Sequence, residues 1–144
     1  MRIHLCGVRG STPAPGAEFL RYGGHTSCVA IAHNDGGAPT LILDAGTGLR
    51  RVTALLGGPP FAGTILLTHL HWDHVHGLPF FSAGDRDGAR ATLLLPEQDG
   101  GAQAEELLAR HKPDRTDEAL DRLAARFRAD PSITVAAEDQ VIGC

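Results

Sequence analysis

The sequence lacks any run of about 18 or more consecutive apolar residues, the length that a membrane-spanning helix requires. Its first residues, MRIHLCGVRG, run straight into a strand-like pattern without the apolar segment of a signal peptide. We therefore expect a soluble, cytoplasmic protein with no membrane partner.

Cysteine is scarce and irregularly spaced. Cys6, Cys28 and Cys144 are an odd number of cysteines, and no two of them form a C-x-x-C pair. This pattern indicates neither a disulfide framework nor a cysteine zinc knuckle. We expect Cys6 and Cys28 to be small buried thiols in a reducing compartment.

An excess of basic residues is also missing. The 13 lysine and arginine residues face 17 aspartate and glutamate residues, which gives a formal net charge of -4. Such a balance offers no general attraction to nucleic acid, so nucleic acid is not the expected partner, although a local basic patch is compatible with it. With 144 residues and 42% hydrophobic content, the chain is predicted to form one domain over residues 1–144.

The positions of the apolar residues predict alternating strands and helices. Six strands are predicted, over residues 3–8, 27–32, 40–44, 64–67, 91–95 and 133–135. Helices are predicted over residues 49–56, near 102–110 and over 116–127. The fold class that follows is α/β.

Histidine is concentrated in one place, because half of the eight histidines lie within residues 69–76. The concentration follows the apolar run 64–67 and so lies at the C-terminal end of a predicted strand, where open α/β sheets place their ligands. Residues two apart in an extended segment point the same way, so His69 and His71 can present both imidazoles to one ion. After the turn, Asp73 and His74 can face a second ion.

The residue types in this cluster suit zinc, manganese or iron. In a two-metal site such ions hold a hydroxide near neutral pH, so the protein needs no serine or cysteine nucleophile. The alternative is a group of solvated histidines without a ligand. The full pattern H-x-H-x-D-H after an apolar strand favours metal binding over that alternative.

Several motifs in order resemble the metallo-β-lactamase superfamily. These are LILDAGTG at 41–48, ILLTHLHWDH at 65–74 and GLPFF at 77–81. The segments VRGSTP at 8–13 and RYGGHTSC at 21–28 look like its ribonuclease Z and phosphodiesterase-like branch. The resemblance covers roughly residues 1–96.

The resemblance implies an αβ/βα four-layer sandwich with the metals at the edge between two sheets. It implies that His69 and His71 bind a first zinc ion and that Asp73 and His74 bind a second, with manganese or iron as alternatives. Asp73 would also orient the attacking hydroxide and is the expected catalytic residue.

Three further residues are candidates for supporting or substrate-contacting roles. Asp44 would hold a ligand imidazole or the motif loop, unless it is a simple turn residue before a glycine. His76 would contact substrate or shuttle a proton, unless it only faces the surface. His25 stands where this branch more often has asparagine and is expected to brace its loop.

The superfamily pattern continues with a third histidine, a bridging aspartate and a final histidine, but after His76 this chain offers only His111, in a different context. Catalytic zinc usually keeps three protein ligands and a water. We therefore expect only the N-terminal half of the fold, from a truncated or diverged chain or one completed by a homo-oligomeric partner or a missing C-terminal half.

Two functions follow from these observations. The first is a metal-dependent hydrolase that uses a metal-bound hydroxide on a small-molecule substrate, with a phosphodiester expected before other esters. The alternative is a truncated or degenerate metal-binding or interaction module without catalysis. The missing downstream ligands leave open whether the chain is itself an enzyme.

Overall fold

A mixed β-sheet organises the residues that the computed structural model describes, which are 1–96 and 134–136. Six strands follow one another across this sheet in sequence order: β1 (Arg2–Gly7), β2 (Cys28–Ala32), β3 (Leu41–Leu43), β4 (Ala62–Leu66), β5 (Arg90–Pro96) and β6 (Thr134–Ala136). The pairs β1–β2 and β2–β3 are antiparallel, and every later pair is parallel. The predicted α/β class is confirmed, while the other half of a four-layer sandwich stays a prediction.

Short helices occupy the connections between the strands. Helix α1 (Leu49–Leu55) joins β3 to β4, as a parallel pair requires a crossover, and α2 (Trp72–Val75) follows β4. Single 3-10 turns lie at Ala17–Phe19 and Leu78–Phe80. Among the described residues, no helix has the length and apolar character needed to cross a membrane.

The predicted elements agree with the observed ones to within one or two residues at their ends. The fourth strand begins two residues earlier than expected, at Ala62, and α1 ends one residue earlier, at Leu55. The helices predicted near 102–110 and over 116–127 lie outside the described residues.

One face of the sheet carries the core. Ile42, Ile65 and Leu93 lie directly opposite one another across β3, β4 and β5, and all three are at most 1% exposed. Leu49 and Val52 of α1 belong to the same buried cluster. The helical spacing of these two residues therefore fixes α1 against the sheet, and with it the loop that enters α1.

The opposite face of the sheet is apolar but open at its β1 edge. Ile3 and Leu5 on β1 are 54% and 65% exposed, although residues of their type are usually buried. Their cross-strand neighbours, and the next pair on β3, are partly exposed: Val29, Ile31, Leu41 and Leu43. A homo-oligomeric partner or a missing C-terminal half stays a prediction for this face.

Candidate functional site

The candidate site lies at the edge where two parallel strands end. Leu43 and Leu66 are paired at the C-terminal ends of β3 and β4, so the residues that follow both strands meet at this edge. Asp44 comes directly after β3, and its backbone N–H donates to the carbonyl oxygen of Leu66 (2.8 Å). His69 comes three residues after Leu66.

Three of the predicted metal-ligating side chains are gathered there. The ring centroid of His69 lies 4.5 Å from that of His71 and 4.0 Å from that of His74. His69 and His74 are partly buried, whereas His71 is exposed. The helix α2 produces this grouping, because it turns the chain directly after the extended residue His71 and brings His74 back towards His69.

Asp73 is held in place by the loop that follows β1. The backbone N–H of Ser11 donates to Oδ2 of Asp73 (2.8 Å), and the same oxygen lies 3.3 Å from Nε2 of His74. Ser11 has a φ of 63°, a left-handed conformation that is uncommon for a residue with a side chain. We infer that this conformation is maintained because it directs the Ser11 N–H at the carboxylate.

Asp44 is a buried carboxylate surrounded by donors. Its Oδ1 accepts hydrogen bonds from the backbone N–H of Thr68 (2.9 Å) and from the Thr68 hydroxyl (2.8 Å). Its Oδ2 accepts one from the Ser27 hydroxyl (3.1 Å) and lies 2.8 Å from Nδ1 of His74. The ring N–H of His74 is not aligned for a hydrogen bond, so this last contact is a close electrostatic one. The supporting role of Asp44 stays a prediction.

These hydrogen bonds fix the charges of the two carboxyl groups. The N–H of Ser11 lowers the pKa of Asp73, against a smaller opposing effect of burial. Burial raises the pKa of Asp44, but the hydrogen bonds from Thr68 and the contact with His74 outweigh it and hold this pKa below its ordinary value. Both groups are therefore carboxylates at neutral pH, the form in which a carboxyl group binds metal or supports a ligand.

Glycine allows the loop after β3 to touch the histidine segment. The N–H of Ala45 donates to the carbonyl of His74 (2.7 Å), and the N–H of Gly77 donates to the carbonyl of Ala45 (2.7 Å). A Cβ atom on Gly46 would overlap the carbonyl oxygen of Asp73, and one on Gly77 would overlap that of Gly46. Only glycine permits this contact between the two segments.

The two other candidate histidines have different surroundings. Nδ1 of His25 lies 3.3 Å from the hydroxyl oxygen of Thr47, in the loop that enters α1. The ring of His76 lies edge-on to the ring of Trp72, with 4.3 Å between centroids. A bracing role for His25 and a substrate-contacting role for His76 stay predictions.

The donor atoms fit part of a metal site. Two ligands of one tetrahedral zinc ion, each about 2.0–2.1 Å from the metal, are separated by about 3.3 Å. The distance between Oδ2 of Asp73 and Nε2 of His74 has this value, 3.3 Å. Among the described residues, however, no group of three or more histidine, cysteine, aspartate or glutamate side chains is arranged to hold an ion. These two donors are therefore spaced like two ligands of one ion, and metal binding by the cluster stays a prediction.

The contact between Ser11 and Asp73 gives a first testable prediction. Replacing Ser11 by proline removes the N–H and imposes a negative φ, so Asp73 loses its hydrogen bond. We expect zinc affinity, measured by competition with a chromogenic chelator, to fall about 10- to 100-fold, as for other residues that orient metal ligands. Ser11→Gly keeps the N–H and tolerates the positive φ, so it should retain the affinity. Equal zinc affinity of the proline and glycine variants would show that the contact does not position Asp73.

The surroundings of His25 give a prediction about pH. Burial lowers the pKa of His25 from 6.5, and the positive charges of Arg50 and Arg51 lower it further. Below about pH 6.5 the unfolded chain therefore binds more protons at this residue than the folded one, and the free energy of unfolding decreases. His25→Asn should lose less stability than the wild type between about pH 7 and pH 5, measured by urea unfolding. His33→Asn, at an exposed position, is the control, and parallel curves for wild type and His25→Asn would contradict the prediction.

Sequence reasoning missed the residues that hold the predicted ligands. Ser11, Ser27 and Thr68 donate to Asp73 and Asp44, and the sequence pattern assigns a role to none of the three. A signal existed for Thr68, because a hydroxyl residue immediately before the first histidine can reach a carboxylate on the neighbouring strand end. No local signal existed for Ser11, whose partner is far away in sequence.

Comparison with known proteins gives one family match and one solved structure. Searched by sequence, no curated protein matches the chain. A 2.10 Å crystal structure of a candidate metallo-beta-lactamase from Thermotoga maritima matches with 14% identity and a TM-score of 0.47. The match covers 98% of this chain and 61% of that one, so this chain spans less than two thirds of that protein's length.

The family match falls on the candidate site. The finer assignment to the ribonuclease Z and phosphodiesterase-like branch rests on sequence motifs alone and stays a prediction. Residues 21–84, which include every predicted site residue from His25 to His76, match the family model of the metallo-beta-lactamase superfamily.

Proposed function

We propose that this chain contributes the first metal-ligand cluster of a metal-dependent hydrolase that acts on a phosphodiester or another ester. The observation that supports the proposal most directly is the gathering of His69, His71 and His74 beside Asp73 at the C-terminal ends of β3 and β4. The superfamily match over residues 21–84 supports the same class of function.

In this proposal His69, His71, Asp73 and His74 hold zinc, or manganese or iron. When bound, such ions supply Lewis acidity and lower the pKa of a coordinated water. Asp44 keeps the imidazole of His74 in one orientation, since its Oδ2 lies 2.8 Å from Nδ1. Ser11 keeps the Asp73 carboxylate ionised and turned towards His74, where it can orient the attacking nucleophile by accepting a hydrogen bond from it.

A second candidate is a module that binds metal without catalysis. It is favoured by one observation, that the described residues contain no group of three donors arranged to hold an ion. Under this alternative the cluster binds one ion weakly, and the remaining ligands of a complete site come from a partner or are absent. Both candidate functions use the same metal ligands, and they differ in whether the chain catalyses hydrolysis.

The test is metal content combined with hydrolysis. The full chain is loaded with zinc, desalted and analysed by elemental mass spectrometry, and its activity is followed on bis(p-nitrophenyl) phosphate. About two zinc ions per chain and turnover that chelation abolishes would support the hydrolase. Bound zinc without turnover on this or a carboxylic ester would support the module, and no bound zinc would overturn both proposals.

A further inference from the structure

A cavity of about 510 Å³ lies next to the metal-ligand cluster and involves none of its histidines. Its wall includes Pro13, two residues from Ser11, and Thr47, which follows Gly46. Ser11 donates to Asp73, and Gly46 lies against the backbone of Asp73. The cavity is therefore adjacent to the candidate site, and its volume is in the range of small-molecule sites.

The apolar part of this cavity is suited to a flat group. Pro13, Pro79 and Phe80 line it, and Phe80 is 69% exposed. An exposed phenylalanine at a cavity presents an aromatic face that can stack on a planar ring. Neighbouring prolines are rigid apolar surfaces that lose no side-chain entropy when a ligand is bound.

The polar part of the cavity has an arginine available for an anion. Arg50 lines the cavity and is exposed, and among the described residues it takes part in no hydrogen bond or ion pair. A guanidinium group binds a phosphate or carboxylate through two parallel hydrogen bonds. Its neighbour Arg51 does not line the cavity, although both arginines lie close enough to His25 to lower its pKa.

His25 and Asp85 make the cavity selective. His25 is neutral at neutral pH, so its ring can donate or accept a hydrogen bond without adding charge. Asp85 places a carboxyl group on the same wall, so the lining does not favour an anion throughout. A ligand therefore gains most when it combines an apolar ring on Phe80 with an anionic group on Arg50.

We propose that this cavity is a substrate subsite that binds a planar aromatic group bearing an anionic phosphate or carboxylate substituent. The proposal rests on the proposed function, because it treats this ligand as one part of the hydrolysed substrate. This part lies away from the bond that is cleaved. Phe80 binds the ring and Arg50 binds the anion.

The first test uses the full chain with chelator present, so that no metal contributes to binding. Phenyl phosphate, benzoate, inorganic phosphate and phenol are titrated and followed by nuclear magnetic resonance. Phenyl phosphate or benzoate should bind more tightly than phosphate or phenol. Arg50→Gln should weaken binding of the aromatic anion about tenfold or more, whereas Arg51→Gln should leave it unchanged. Equal losses in the two variants, or no binding to the wild type, would overturn the proposal.

The second variant pair tests the ring. Phe80→Ala should weaken phenyl phosphate binding and leave the weak binding of inorganic phosphate unchanged, whereas Tyr22→Ala, at a 71% exposed aromatic residue outside the cavity, should alter neither. Unchanged phenyl phosphate affinity in Phe80→Ala would overturn the stacking role.

These titrations separate the failure of the subsite from the failure of the proposed function. Binding is measured without metal and without turnover, so an inactive chain can still support the subsite. If the zinc-loaded chain hydrolyses an aryl phosphodiester with an anionic ring substituent, Arg50→Gln should raise KM and leave kcat nearly unchanged. An unchanged KM in that case would overturn the subsite and leave the hydrolase standing.

Discussion

Replacing both His69 and His71 by alanine is expected to abolish zinc binding by the full chain. The two imidazoles lie 4.5 Å apart between ring centroids, and His69 also lies 4.0 Å from His74, so their removal leaves one histidine in the cluster. Zinc requires three or four protein donors for stable binding, and two lost imidazoles cannot be replaced by water without a large loss of affinity. Elemental mass spectrometry should find zinc per chain at the level of the chelator-treated wild type.

The controls distinguish loss of ligands from loss of fold. His33→Ala removes an exposed histidine from the turn after β2 and should retain the zinc content of the wild type. Because His71 is exposed and His69 is only partly buried, the double variant should unfold in urea within about 0.5–1 kcal/mol of the metal-free wild type. Wild-type zinc content in a folded double variant would show that the metal, if any, binds elsewhere.

Local periodicity was sufficient to predict the strands and the first helix. The predicted strands 40–44 and 64–67 contain compact apolar runs with turn residues around them, and the two buried positions on α1 are spaced for one helical face. Cys6 and Cys28 are buried free thiols, as expected from their irregular spacing. These features depend on neighbouring residues, which is why one sequence reveals them.

The support of the candidate site could not be predicted in the same way. The hydrogen bond from Ser11 to Asp73 depends on a left-handed backbone conformation in a glycine- and proline-rich loop, and no periodicity signals it. The cavity beside Phe80 and Arg50 is formed by four separate segments that meet only in the fold. The H-x-H-x-D-H pattern indicates the ligand types, whereas the residues that position them are set by tertiary contacts.

The apolar face around Ile3 and Leu5 shows a second limit of sequence reasoning. In β2 and β3 both faces carry apolar residues, so the sequence pattern does not tell which face is covered. In the described residues of β2 and β3, the face with Ile42 is buried, whereas the other face is partly exposed at Val29, Ile31, Leu41 and Leu43. A continuous apolar face of this kind is typical of a surface that another layer covers.

Asp44→Ala is expected to destabilise the fold by about 3–5 kcal/mol, because it removes the acceptor of three partly buried hydrogen bonds and places alanine in a left-handed conformation. Both hydrogen bonds from Thr68 and the one from Ser27 would be lost, and Asp44 has a φ of 60°. Urea unfolding of metal-free protein measures this loss directly. Asp35→Ala is the control. This aspartate is exposed and lies 3.8 Å from the N-terminal amino group, so its loss should change stability by less than about 0.5 kcal/mol.

Asp44→Asn separates the structural role of this residue from its role towards His74. Asparagine tolerates the positive φ and keeps one oxygen for Thr68, so most of the stability should remain. The negative charge 2.8 Å from Nδ1 of His74 is lost, however, and under the proposed function that charge orients the imidazole and increases its basicity as a ligand. We expect zinc affinity to fall about 10- to 100-fold in a folded Asp44→Asn variant. Wild-type affinity in that variant would reduce Asp44 to a residue that only stabilises the turn after β3, whereas the expected loss would tie the buried carboxylate to the metal-binding function of the cluster.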